Sequence, residues 1–222
     1  MTRTLRTSST TSGRVALVAL LAGLSLGGLA CSNRKAEIGP GASPEAGASA
    51  TAAPERGTIE CLSIEAPAGS TKAAGVGGGL AFRGATQLRS GAVSYDPSFT
   101  VTTQAAEGAQ LNAVRDELME SFRKDYTALL RTANRTGGVK VSDLEPPRAT
   151  SSPVAGLPGH AWQIDSIASF NGERLPWRAY SMTTVFRDRV YVVTAAAALS
   201  NVGAMKPIAD KYFASIRFDA CK

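Results

Sequence analysis

Hydrophobic and polar positions follow different periods in different parts of the chain. Val15 to Leu29 is a continuous apolar run without a charge. From Ala109 to Asn134 the apolar residues Leu111, Val114, Leu118, Phe122, Tyr126 and Leu129 recur every three or four positions. Arg115, Asp116, Glu120, Arg123 and Lys124 fall largely between them. This is the period of a helix with one buried stripe, and Gly137-Gly138 should stop it. Further on the period drops to two. His160 to Phe170 puts Trp162, Ile164, Ala168 and Phe170 on one face; Asn171-Gly172 then gives a tight-turn signal. Trp177 to Phe186 returns with Tyr180, Met182, Thr184 and Phe186 on one face. Arg187-Asp188-Arg189 turns the chain again, and Val190 to Ala197 completes a three-strand meander.

The remaining elements are weaker. Thr58–Ile64, Leu80–Leu88, Ala92–Tyr95, Phe99–Thr103 and Val139–Leu144 read as strands. Pro146, Pro147 and Pro153 mark a loop. A second helix, from Val202 or Lys206 to Ser215, would bury Ile208, Tyr212 and Phe213. The expected fold is α+β: an antiparallel sheet, including the C-terminal three-strand meander, packed by one long helix and one short C-terminal helix.

The apolar run near the start belongs to an address. Arg3, Arg6 and Arg14 precede it, and Gly27-Gly28-Leu29-Ala30 lead into Cys31. Charged, apolar and small-residue regions in that order form an export signal. A bilayer span needs about 20 apolar residues, more than this run offers. The junction resembles a lipobox, which implies cleavage after Ala30 and lipid on Cys31, although Gly28 stands where Leu is usual. Gly28 and Ala30 also satisfy ordinary signal peptidase, which would leave a soluble secreted protein.

Cysteine parity bears on that choice. The chain has three cysteines, an odd number for an oxidising compartment. With lipid on Cys31, Cys61 and Cys221 remain as a pair able to clamp the two ends of the folded region. A loop that long is worth about 5 kcal/mol by chain-entropy reasoning. The alternative is two buried free thiols.

Composition divides the chain into residues 1–30 as signal peptide, 31–56 as lipidated cysteine and flexible linker, and 57–222 as a single domain. The linker is Ala, Gly, Ser, Pro and Glu with Ile38 as its one aliphatic, too little apolar mass to offset the entropy of ordering. Ser32, where Asp would retain a lipoprotein at the inner membrane, favours an outer membrane if the cell has one. The domain would face the periplasm or the exterior. Loss of the leader's arginines lowers the formal charge from +6 to +3. With basic residues scattered and no interleaved aromatics, no nucleic-acid partner is expected.

Leu157–Trp162, Trp177–Tyr180, Arg187–Tyr191 and Tyr212–Phe218, in this element order, resemble the PsbP-like/DcrB-like superfamily over roughly residues 99–218. That superfamily includes photosystem assembly proteins, a nuclear-import accessory protein and many bacterial lipoproteins. The resemblance implies a binding or scaffolding fold and brings no catalytic residues with it.

Candidate chemistry is sparse. His160 is the only histidine; without neighbouring ligands it cannot build a zinc site. Gly75-Val76-Gly77-Gly78-Gly79 lacks the Lys-Ser/Thr ending of a phosphate loop, and no Gly-x-Ser-x-Gly elbow occurs in the domain. Asp165, Glu173 and Glu145 read as solvated carboxylates. No metal, cofactor or catalytic residue is expected. Trp162, Trp177, Tyr180, Phe186 and Tyr191 read mostly as core against the long helix. Trp177, after Pro176 near a turn, is the expected partly exposed residue and a possible partner contact. The leading expectation is a non-enzymatic envelope lipoprotein, held to a membrane by its lipid, whose domain binds another envelope protein. A lipid or small-molecule carrier with a pocket between sheet and helix is the alternative, and a hydrolase comes third.

Overall fold

The computed structural model describes residues 55–84, 88–90, 93–136, 140–170 and 173–221. The leader, Cys31, most of the linker, Gly137-Gly138 and Asn171-Gly172 lie outside the described residues. Strands β1 (Arg56–Ile59) and β2 (Leu62–Glu65) form a hairpin. Next come β3 (Thr71–Ala74), β4 (Leu80–Arg83), the short pair β5 (Leu88–Ser90) and β6 (Val93–Tyr95), and β7 (Ser98–Ala105). The long helix α1 (Leu111–Thr136) precedes β8 (Arg148–Ser151), β9 (Gly159–Phe170), β10 (Glu173–Phe186) and β11 (Arg189–Ala198). Helix α2 (Val202–Ala214) closes the order. Seven strands pair antiparallel as β3-β4-β7-β11-β10-β9-β8. The sequence-predicted α+β class, meander and helices are therefore present.

Both faces of this sheet are covered. On one, Val114, Leu118 and Phe122 of α1 pack on Trp162, Ile164, Val190 and Val192. On the other, Met205, Ala209 and Tyr212 of α2 join Leu62 and Ile64 of the β1–β2 hairpin over Phe82, Phe99 and Tyr191. Central strand β11 is consequently buried from Val190 onward, which explains its almost unbroken apolar sequence. Its run Ala195–Ala198 keeps the strand thin where layers crowd it from both sides. Tyr95 reaches the end of this run, accepting a hydrogen bond from Ala198 N at 2.9 Å and donating to Asn201 Oδ1 at 2.8 Å.

The chain ends are tied together. Cys61 and Cys221, 160 positions apart in sequence, form a disulfide with Cα atoms 4.3 Å apart. Ser63 and Arg217 exchange two backbone hydrogen bonds at 2.9 Å, and Ala220 N donates to the Cys61 carbonyl at 3.1 Å. Cys61 sits in the hairpin tip beside Glu60, which has φ 51°, a left-handed conformation uncommon for a side-chain-bearing residue.

Several elements differ from their sequence expectation. Thr58–Ile64 is a hairpin, not one strand, because the chain reverses at Glu60-Cys61. Leu80–Leu88 is strand only to Arg83, and Thr71–Ala74, for which no strand was expected, is strand β3. Val139–Leu144 holds a 3-10 turn at Val141–Asp143; the strand is Arg148–Ser151, which shows no apolar alternation and is held by pairing with β9. In α2, Ile208 is 42% exposed while Met205 and Ala209 are buried. That selection follows the stripe Met205, Ala209, Tyr212, from which Ile208 is displaced by one residue around the helix.

Candidate functional site

A trough of about 860 Å³ runs between α1 and the edge strand β8, lined among others by Arg115, Met119, Arg123, Lys124, Arg131 and Ala149. Arg115, Met119, Arg123, Thr127 and Arg131 lie on one i+4 ridge of α1, so the arginines recur every second such step. At 1.5 Å rise per residue, successive arginines stand roughly 12 Å apart along the axis. Arg115 is engaged by Asp116 at 2.7 Å, and Lys124 by Glu120 at 2.8 Å. That exposed contact lowers the Glu120 pKa and raises that of Lys124, through their hydrogen bond first and their charges second. Arg123 and Arg131 have no carboxylate partner among the described residues.

The trough's second wall is fixed by a buried ionic cluster at the edge of the sheet. After α1, the Leu144 carbonyl accepts a hydrogen bond from Tyr126 Oη at 3.0 Å. Glu145 N then donates to Asp165 Oδ2 at 2.7 Å. Arg178, directly opposite Asp165 on the neighbouring strand, forms a fork with it: Nε to Oδ1 at 2.7 Å and Nη2 to Oδ2 at 2.8 Å. The same guanidinium reaches Glu145 Oε1 at 3.0 Å. Glu145 also meets Arg148, at the start of β8, at 2.9 Å. This hydrogen bonding and charge raise the Arg178 pKa, chiefly through Asp165, and hold the Glu145 carboxyl below the usual range, chiefly through Arg178. The cluster therefore pins the chain between α1 and β8 to β9 and β10.

Beyond β8, Ser152 N donates to the Gly159 carbonyl at 3.0 Å. In an antiparallel ladder, hydrogen-bonded and non-hydrogen-bonded pairs alternate. Thr150 and Arg148 thus share the bonding phase of Ser152, and the N–H and C=O groups of Ala149 and Ser151 point away from β9 along the sheet's open edge. Gly159 itself is closely covered: a Cβ there would lie 2.8 Å from the Ser152 carbonyl oxygen and 2.9 Å from that of Thr183.

The sequence-stated residues fall elsewhere. His160 is buried on β9, paired with Ser151 and Thr183, with its ring 6.4 Å from that of Trp162. Burial first, and Arg115 second, lower its pKa; the Thr150 backbone and Asp116 act in the opposite sense. Asp165 is buried, not solvated, and both it and the partly exposed Glu145 are ion-paired to Arg178; Glu173 is exposed on the next strand. Gly75–Gly79 joins β3 to β4 through a 3-10 turn, with Gly77 at φ 63° and Gly78 at φ 80°. It opens no helix that could face a phosphate. Among the described residues, no group of three or more His, Cys, Asp and Glu side chains could hold a metal ion.

Trp177 is a correction. It is 2% exposed, packed edge-on to Tyr95 at 5.0 Å between ring centroids. Its expected exposure rested on nearness to a turn, but the β5–β6 pair brings Tyr95 over that end of the sheet. It offers no surface to a partner. Among the described meander aromatics Trp162 alone joins the cluster under α1, meeting Phe122 at 5.5 Å; Tyr191 and Phe186 meet Phe218 on the opposite side, and Tyr180 lies beneath Lys206 Nζ at 5.7 Å. Sequence reading missed the Arg178–Asp165 pair, although a signal existed. Phe170 pairs with Glu173 across Asn171-Gly172, and counting outward from that two-residue connection sets Arg178 opposite Asp165.

No protein-family model matches this chain, and no curated protein matches it in sequence. Solved structures with a related arrangement include a Bacteroides thetaiotaomicron protein: 10% identity, TM-score 0.40, covering 74% of this chain. The chain spans about half of that protein's length, 48%. Another is Mycobacterium tuberculosis LpqN, described as involved in cell envelope biogenesis, with 11% identity, TM-score 0.38 and coverage of 70% and 81% of the two chains. A third is PA94, a Pseudomonas aeruginosa protein of unknown function, with 13% identity, TM-score 0.35 and coverage of 71% and 92%. At these levels the similarities carry no functional argument.

Proposed function

We propose that this chain is an envelope lipoprotein whose single domain is a non-catalytic binding or assembly module of the PsbP-like kind. The supporting observation is the Cys61–Cys221 bond, which uses up the domain's cysteines and leaves Cys31 as the odd one, at the position where lipid would be attached. A disulfide joining both ends of a domain also suits an exported protein. The space where a carrier would need its pocket is filled: Leu118, Phe122 and Trp162 pack on one another between α1 and the sheet. The carboxylates nearest the meander are committed to Arg178, which suits a structural cluster better than proton transfer. No described helix is long and apolar enough to cross a membrane, so in this reading the lipid on Cys31 does the holding.

The test is fractionation of cells expressing the tagged full chain beside Cys31→Ser. The parent should sediment with membranes and resist a high-salt wash, while the variant should be released. Equal membrane retention of both forms under high salt would overturn the anchor. A pull-down with the lipidated form should recover a stoichiometric protein; recovery of lipid or a small molecule alone would move the assignment to the carrier.

A further inference from the structure

We propose that the trough between α1 and β8 receives an extended, acidic peptide segment of a partner protein. This deepens the binding-module reading by giving the module a surface and its partner a chemistry.

Charge is the first argument. Arg123 and Arg131 line the trough without a carboxylate partner among the described residues, while Arg115 and Lys124 are paired with Asp116 and Glu120, which line it too, so the surplus of positive charge rests on Arg123 and Arg131. Guanidinium groups bind carboxylates in a fork. Shape is the second. The site is a shallow, open trough whose lining runs along the helix from Arg115 to Arg131, a shape that follows a linear ligand. Spacing is the third. Arg123 and Arg131 are about 12 Å apart along the helix axis. An extended peptide rises about 3.3 Å per residue, so acids four residues apart span roughly 13 Å and match that interval with both side chains on one face of the strand.

The open edge of β8 supplies the rest. Ala149 and Ser151 present outward N–H and C=O groups, and an incoming segment can pair with them as an added strand. Pro147 and Pro153 flank β8, and Arg148 is exposed upon it. Short length, proline and charge are the features that keep an edge from pairing with a copy of itself. Two copies would also bring two arginine ridges together. The edge therefore permits about two residues of ladder to a segment whose acids satisfy the ridge, and disfavours self-pairing. Met119 and Ala149 give the floor apolar contact area for the segment's uncharged residues.

Fluorescence anisotropy tests this with the mature, disulfide-bonded chain. The probe is a labelled peptide of about a dozen residues, Val, Ser and Thr with Glu at every fourth position, compared with its Gln counterpart. The Glu peptide should bind, with affinity falling as salt rises, and the Gln peptide at least about tenfold more weakly. Arg123→Glu with Arg131→Glu should abolish binding, whereas Lys72→Glu, on exposed β3 at the far edge of the sheet, should leave it unchanged. Circular dichroism and the intact disulfide establish that each variant is folded. Equal binding of Glu and Gln peptides, or undiminished binding to the double variant, would overturn the proposal. So would binding to vesicles of one-third anionic phospholipid, lost in the double variant, without binding to the Glu peptide. If the peptide fails while the lipidated protein still captures a stoichiometric partner, the trough assignment falls and the binding-module reading stands.

Discussion

Replacing Arg178 with Met should be among the most damaging single changes in the domain. Exposure decides the magnitude. An exposed ion pair contributes about 0–1 kcal/mol, and the contact of Arg148 with Glu145, whose side chains are 64% and 38% exposed, belongs in that class. The Asp165 carboxylate is 0% exposed and the Arg178 side chain 12%. Removing the guanidinium strands a desolvated carboxylate, whose remaining described hydrogen bond comes from Glu145 N. Loss of one partner of a buried pair costs about 3–5 kcal/mol, a large part of a typical domain's total stability. Replacing both groups, as in Asp165→Leu with Arg178→Met, removes the buried charge entirely. That leaves mainly the unpaired Glu145 N–H, at about 1–3 kcal/mol. The double variant should therefore be more stable than Arg178→Met alone. Urea unfolding of the parent, both single variants and the double variant forms the required cycle. Hydrogen exchange should also show the loss concentrated in the 144–151 segment that the cluster pins. An Arg178→Met penalty below about 1 kcal/mol, or a double variant as unstable as the sum of the singles, would refute the assignment of a buried, mutually dependent pair.

Two further outcomes follow from the same structure. Cys61→Ser with Cys221→Ser should lower stability by about 5 kcal/mol on the chain-entropy account of a 160-residue separation; non-reducing peptide mapping of the parent should yield the linked pair, and free alkylation of both thiols would contradict it. His160 should make stability fall on acidification: its folded pKa lies below its unfolded value, so the full contribution is present above the unfolded value near 6.5 and is lost as pH falls below it. Unfolding midpoints between pH 7.5 and 5 should drop more for the parent than for His160→Gln, and equal pH dependence would show that another group is responsible.

Where the physics is local, the sequence determined the structure. The 3.6-residue period of Leu111, Val114, Leu118 and Phe122 specified α1 and its buried face, since a helix exposes one stripe to the sheet whatever the strand order. Alternation and two turn signals specified the meander, and cysteine parity pointed to the clamp that closes the domain. Tertiary structure decided what depends on partners distant in sequence. Alternation divides a strand into two faces but does not say that both are covered, and for that reason Trp177 is buried. Arg148–Ser151 carries no strand pattern of its own and becomes one by pairing with β9. The β3-β4-β7-β11 order, which makes β11 central, comes from contacts across long loops whose closure entropy only the assembled core offsets. The trough is the furthest from sequence. Its arginines are readable as a helix ridge, but only the packing of that helix beside an open sheet edge makes them one wall of a site.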